Sequence, residues 1–309
     1  MPVLSRVVIS NCTTRKAVGH AIGINDVSHS GGALATAGRW KRLVRSAPAR
    51  LSARELYKGR SISDAATIAA ELKARLYVVS AGLGLVAADD LVPNYNLTVT
   101  PGSLVAEMLA AQGLEVHSWW TALTQNSPFP LSRLAAGSSV FLALPATYLR
   151  LVREDLASVS EEARCNLWIF TSEAGRSEVP QSLASRVMPY DDRLETVPGF
   201  AGTRADFPQR ALRHFVESIQ GHESVGDEGR RLVLASLAGQ RRRELPQRTR
   251  VSDEEVCELI RARWAACAGS SARLLRYLRD EAKVSCEQGR FRTLWQSLKT
   301  EMDGGSDRA

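Results

Sequence analysis

Leu76-Tyr-Val-Val-Ser-Ala-Gly-Leu-Gly-Leu-Val-Ala-Ala-Asp-Asp-Leu-Val-Pro-Asn-Tyr-Asn-Leu97 is the stretch that decides the fold. Its first residues, up to Ser80, are apolar, β-branched or aromatic, the composition of a strand buried on both faces. Small residues and glycines follow at Ala81, Gly82 and Gly84, where the backbone can be approached closely. Two carboxylates, Asp89 and Asp90, and the cluster Asn94-Tyr-Asn96 come next. The grouping reads either as a pocket at a strand end or as a plain turn, because Asp, Asn, Pro and Gly are also the commonest loop residues.

The same grammar recurs on both sides of this run. Short apolar segments at 6–10, 139–144, 166–171 and 186–188 read as further buried strands. Helical stretches separate them: Ser52-Ala-Arg-Glu55 has capping-box spacing, Ser63-Asp64 can start a helix, and 147–156 and 207–219 carry apolar residues at helical period. Strands alternating with helices specify an α/β fold with a mixed or largely parallel sheet flanked by helices. Ligands bind outside the carboxyl ends of such strands, which directs attention to Asn11-Cys-Thr-Thr-Arg-Lys16, Ala81-Gly-Leu-Gly84, Pro145-Ala-Thr147 and Pro189-Tyr-Asp-Asp-Arg193.

The polar, glycine-bearing run 220–226 marks a boundary, so the expected domains are an α/β catalytic domain over 1–222 and a basic helical module over 223–309. An arginine-rich stretch from Arg241 to Arg250 resembles a linker or the edge of a binding face. Beyond it, Ser252-Asp-Glu-Glu255 opens an amphipathic helix through Val256, Leu259, Ile260 and Trp264. Gly269-Ser-Ser271 breaks it, a second helix spans 272–281, and Ser285-Cys-Glu-Gln288 has the spacing to cap a third bearing Phe291, Leu294, Trp295 and Leu298. Three short helices with tight turns, the third presenting Gln288, Arg290 and Arg292, match a helix-turn-helix-like DNA-binding module. A small helical bundle with solvated arginines fits the same pattern.

Composition narrows the classes. The 309 residues, 44% hydrophobic and 24% charged, describe a globular chain larger than one usual domain and exclude a low-complexity one. The first ten residues run directly into a strand, and no segment approaches the roughly 20 apolar residues that span a bilayer, so a cytoplasmic protein with no membrane partner is expected. Cys12, Cys165, Cys257, Cys267 and Cys286 form no CxxC pair. His20, His29, His117, His214 and His222 lack metal-ligand spacing, and no glycine-rich phosphate loop ends in Lys-Ser/Thr, so neither metal nor cofactor is expected. A net charge of +7 favours a polyanionic partner.

The 76–97 run resembles the signature of the YaaA-like superfamily and its relatives in phage-defence loci: a strand, Ser-x-x-x-Gly-Leu, an acidic residue and a tyrosine. Gly84-Leu85, Asp90 and Tyr95 match, whereas Asn94 departs, the usual proline standing one residue earlier at Pro93. Cys12-Thr-Thr-Arg-Lys16 and Ala53-Arg-Glu-Leu-Tyr-Lys-Gly-Arg60 are similar to family segments as well. The resemblance covers roughly 5–100, continues more weakly through 189–215, and omits the C-terminal module. It implies a DNA-binding α/β fold and, in its phage-defence branch, a DNA glycosylase that excises a modified base, glucosylated 5-hydroxymethylcytosine, from double-stranded phage DNA.

Cleaving an N-glycosidic bond builds oxocarbenium character on the sugar and calls for a carboxylate. Asp90 is the first candidate and Asp89 the second, since neighbouring residues on an extended segment point opposite ways. A flipped base would be read by Ser80, Gly82, Asn94, Tyr95 and Asn96. Arg15, Lys16, Arg193 and Arg204 are candidates for phosphate contacts, Arg204 lying with Thr203 and Asp206 at a helix start. A non-catalytic DNA-binding stress-response protein of the same fold, and an enzyme acting on free nucleotides, remain alternatives.

Overall fold

The computed structural model describes residues 5–19, 22–125, 130–224, 227–242 and 248–304. The expected boundary run and the arginine-rich stretch fall in part on 225–226 and 243–247, and His20 at 20, all outside the described residues. The chain divides into two compact units, Met1–Arg242 and Arg243–Ala309. The division lies 20 residues beyond the expected one at 222. The Glu228–Leu237 helix is the reason: Val233 and Leu237 are fully buried in the core of the first unit. Each contributes roughly 1.5–3 kcal/mol of burial, enough to fix a short helix to that core rather than to the C-terminal one.

The first unit contains the strands β1 (Ser5–Asn11), β2 (Ile22–Gly23), β3 (Ala49–Ser52), β4 (Arg75–Ser80), β5 (Gly84–Ala87), β6 (Leu91–Pro93), β7 (Tyr95–Asn96), β8 (Ser138–Ala143) and β9 (Leu167–Phe170). Five of them make one mixed sheet in the order β5-β4-β1-β8-β9. β4, β1, β8 and β9 run parallel, and β5 closes one edge antiparallel to β4. The 186–188 run contributes only Val187, which bridges Ile169 at the other edge. Helices flank the sheet. The Arg60–Glu71 helix packs on β1 and against the Phe207–Arg213 helix, and the Val116–Thr124 helix packs on β5 and against the Gly32–Ser46 helix. Gly32–Ser46 buries Ala33, Thr36, Ala37 and Trp40, one face at helical period.

Two expected helices differ in detail. The 147–156 segment is two helices, Ala146–Leu151 and Arg153–Ala157, and the 207–219 segment loosens into a wider turn over His214–Ser218. Ser63-Asp64 lies inside a helix that starts earlier, after Gly59 at φ 123°, a conformation that favours glycine.

Among the described residues, the second unit holds three helices, Asp253–Arg263, Ser271–Asp280 and Gln288–Gly304. They enclose a core of Val256, Ile260, Leu274, Leu278, Val284, Cys286, Phe291 and Leu298. The capping box at Ser252 forms, with Ser252 Oγ accepting from Glu255 N and Glu255 accepting from Ser252 N. The one expected at Ser285 does not. Ser285 N donates to Thr249 O beside a parallel bridge between Thr249 and Val284, and the helix begins only at Gln288. Among the described residues no helix is long and apolar enough to cross a membrane.

Candidate functional site

The chain leaves β1 for β4 on one side and later returns to place β8 on the other. Strand order therefore reverses at β1, and the crevice outside the carboxyl ends of β1, β4, β8 and β9 is where this topology binds ligands. Three polar groupings lie along that edge.

The first is at the end of β4. Ser80 Oγ and Tyr95 Oη are 2.6 Å apart, Tyr95 Oη and Tyr57 Oη 2.9 Å, and Ser80 Oγ accepts from Leu83 N at 3.0 Å. The indole N–H groups of Trp40 and Trp119, both fully buried, donate to Gly82 O and Ala81 O and hold the turn in place. Gly82 lies under Tyr95 so closely that a β-carbon there would meet the ring at 2.5 Å. Lys16 Nζ sits 4.5 Å from the centre of the Tyr95 ring and 6.0 Å from that of Tyr57. Burial lowers the Lys16 pKa, opposed in part by the Cys12 thiol. Desolvating an ammonium costs several kcal/mol, and a ring face returns about 2, so the direction is the expected one. Burial raises the Tyr95 and Tyr57 hydroxyls, which stay protonated.

The second grouping is at the β1–β8 gap. Cys12 Sγ lies 3.0 Å from Tyr148 Oη, which also donates to Cys12 O. The fully buried Gln209 reaches in from the Phe207–Arg213 helix, its Nε2 2.9 Å from each of Ser10 Oγ, Asn11 Oδ1 and Ala143 O. Three elements, β1, β8 and the Phe207–Arg213 helix, are joined at this point, so Gln209 fixes their spacing.

The third is a cleft of about 330 Å³ at the carboxyl end of β9, lined by Ser172, Glu173, Asp192, Glu195, Arg204 and Phe207. The carboxylates that line it, and the buried Asp206 beside Phe207, differ. Glu195 Oε1 accepts from Nη2 of the fully buried Arg210 at 2.7 Å, and Asp206 Oδ1 accepts from Arg210 Nε at 2.9 Å. Glu173 and Asp192 are exposed and have no ion-pair or hydrogen-bond partner among the described residues. A solvated, unpaired carboxylate is free to meet a cation or activate water, whereas Glu195 is held by the fold.

The residues expected from the sequence divide accordingly. Ser80, Gly82, Tyr95 and Lys16 come together. Asp89 and Asp90 do not join them. Gly84, at φ 83°, turns the chain back into β5, which pairs Ser80 with Gly84 and Tyr77 with Ala87, so the carboxylates emerge near the amino end of β4. Asp90 Oδ2 there accepts from Ala87 N at 2.8 Å as a turn brace, and the exposed Asp89 pairs with Arg54 at 3.2 Å. Asn94 is buried, its Nδ2 donating to Val18 O at 2.8 Å and to Gly19 O, which makes it a loop anchor. Asn96 is exposed in β7. Arg15 is exposed beside Lys16. Arg193 is held in a two-pronged pair with Asp191, at 2.9 and 3.0 Å, and also donates to Leu237 O. Arg204 is exposed and lines the cleft.

In the second unit, Arg290 Nε donates to Asp253 Oδ1 at 2.7 Å and Nη2 to Val251 O at 2.8 Å, so it fastens the third helix to the first instead of projecting outward. Gln288 and Arg292 are exposed and, with Leu275, Phe291 and Trp295, line a groove between the second and third helices. Arg273, Arg276 and Arg292 have no ion-pair partner among the described residues.

Sequence reasoning missed Tyr57, Tyr148, Gln209 and Glu173. Tyr57 lies within the Ala53–Arg60 run, and Glu173 and Tyr148 each follow a strand closely, so the strand-end rule extended by a few residues reaches both. Gln209 has no local signal, since its partners lie up to 199 residues away. No family model matches the chain, and no curated protein or solved structure is significantly similar to it.

Proposed function

We propose that the protein is a DNA glycosylase that excises a modified base, in keeping with the phage-defence branch that the sequence resembles, and that its reactive carboxylate is Asp192 or Glu173 rather than Asp90. The observation that carries this reading is the β9-end cleft, where two unpaired carboxylates face the same space as Arg204 and the wall formed by Phe207. A carboxylate there stabilises the positive charge that develops on the sugar and activates the water that replaces the base. Arg204 offers a guanidinium to a flanking phosphate. The Lys16 grouping lies at the end of β4, three interstrand steps of about 4.8 Å from β9, on the same edge. An extruded nucleotide and its flanking phosphates fit a span of that size.

The second unit supplies grip. Its three helices act as a helix-turn-helix-like reader, with Arg273, Arg276, Gln288 and Arg292 as the groups free to meet phosphates or base edges. Duplexes carrying glucosylated hydroxymethylcytosine, hydroxymethylcytosine or cytosine test the proposal. Free base and alkali-labile sites are expected from the glucosylated duplex, and no release from any modified duplex overturns it.

A further inference from the structure

Lys16 has a property that binding a phosphate does not call for. Its Nζ is laid across two tyrosine rings, at 4.5 Å and 6.0 Å, and no carboxylate among the described residues pairs with it. Its backbone is held by a bridge to Tyr57, and the neighbouring loop by Thr13 Oγ1 donating to Lys58 O at 2.9 Å. The amine is thus fixed at the ligand-binding edge with part of its surface open. The exposed Arg15 next to it offers a guanidinium suited to a phosphate. An ammonium that lacks a counter-ion and is removed from water gives up its proton more readily, and a neutral amine is a nucleophile toward aldehydes.

We propose that Lys16 is an imine-forming nucleophile that acts on the abasic deoxyribose once that sugar has moved along the strand-end edge from the β9-end cleft to the end of β4, so that the enzyme cuts the strand after excising the base; the inference rests on the glycosylase reading for its substrate. The neutral Nζ adds to the C1′ aldehyde of the ring-opened sugar, and the carbinolamine loses water to leave an imine. Loss of the C2′ proton to solvent breaks the C3′–O bond and expels the 3′ phosphate with its electron pair. Water then hydrolyses the imine, which releases the unsaturated aldehyde and restores the amine. Water is the only co-reactant, and no oxidant or reductant is involved.

The test uses the full chain and a duplex with a preformed abasic site, so that base excision is not needed and a failure of one proposal is distinguishable from a failure of the other. Sodium cyanoborohydride reduces an imine to a stable amine. Wild-type protein is expected to give a covalent protein–DNA adduct that peptide mass mapping places on Lys16. Lys16→Arg keeps the charge and the ring contact and serves as the folding control. With an unchanged melting temperature, it is expected to lose the adduct by about tenfold or more, as well as strand cleavage. Absence of an adduct with wild-type protein, or an adduct that persists in Lys16→Arg or maps to another amine, overturns the assignment.

Discussion

Both units of the chain are rich in arginine, yet they handle it in opposite ways. The first unit has a core large enough to take a guanidinium out of water altogether: Arg210 is 0% exposed and is met by Glu195, Asp206, Phe200 O and Thr203 O. The second encloses eight buried residues, and its arginines pair on the rim: Arg248 with Asp280, Arg261 with Glu301, Arg263 with Glu281, Arg290 with Asp253. A buried pair locks a loop, whereas an exposed pair contributes little. What an arginine offers a polyanion is therefore decided by whether the fold has already occupied it. Among the described residues of the second unit that leaves Arg250, Arg273, Arg276 and Arg292, a shorter set than the sequence suggests.

The contrast can be broken at its strongest point first. Arg210→Ala leaves Glu195 and Asp206 without their shared partner and is expected to destabilise the first unit by about 3–5 kcal/mol in urea unfolding. A loss below about 1 kcal/mol would mean that the pair locks nothing. Leu278→Ala, in the small core, is expected to cost about 2–5 kcal/mol and to unfold the second unit while the first keeps its near-ultraviolet signal from Trp40, Trp119 and Trp120. A single shared transition in both variants would contradict the division into two units.

A pH dependence sharpens the same comparison. His214 in the first unit is buried against Phe200, with Nδ1 2.9 Å from Tyr190 Oη, and burial lowers its pKa to about 4 from an ordinary 6.5. Between those values the unfolded chain takes up a proton that the native state refuses, so stability declines as pH falls through this window and levels off below about 4. His214→Phe is expected to flatten that part of the first unit's stability profile. An unchanged slope would show that other groups set it.

The smallest effect separates two neighbouring arginines. Arg292→Ala is expected to weaken DNA binding and to flatten its salt dependence by about one unit of slope. Arg290→Ala, which breaks the tie to Asp253, leaves that slope unchanged. Equal slopes in the two variants would remove the distinction between occupied and free arginines.

The sequence made the sheet legible where strands are buried on both faces. β1, β4, β8 and β9 are apolar runs of β-branched and aromatic residues, and their places follow from composition alone. Capping boxes at Ser52 and Ser252 formed because their serines stand directly before a helix. At Ser285 a backbone contact with Thr249 competes for the segment, which local spacing does not register. The candidate site was half legible. Ser80, Gly82 and Tyr95 lie within 15 residues and meet at the end of β4. Asp90 belongs to the same run, yet the left-handed turn at Gly84 carries it to the other end of the sheet. The β9-end cleft gathers residues from 172 to 207 through tertiary contacts, and no short motif reports it.

Base release from glucosylated hydroxymethylcytosine DNA by Asp192→Asn, Glu173→Gln and Asp90→Asn, with DNA binding measured in parallel, tests the placement of the chemistry most directly. The account predicts a loss of about a hundredfold or more in one of the two cleft variants with binding retained, and near-normal release from Asp90→Asn. Loss confined to Asp90→Asn, with both cleft variants active, would contradict it.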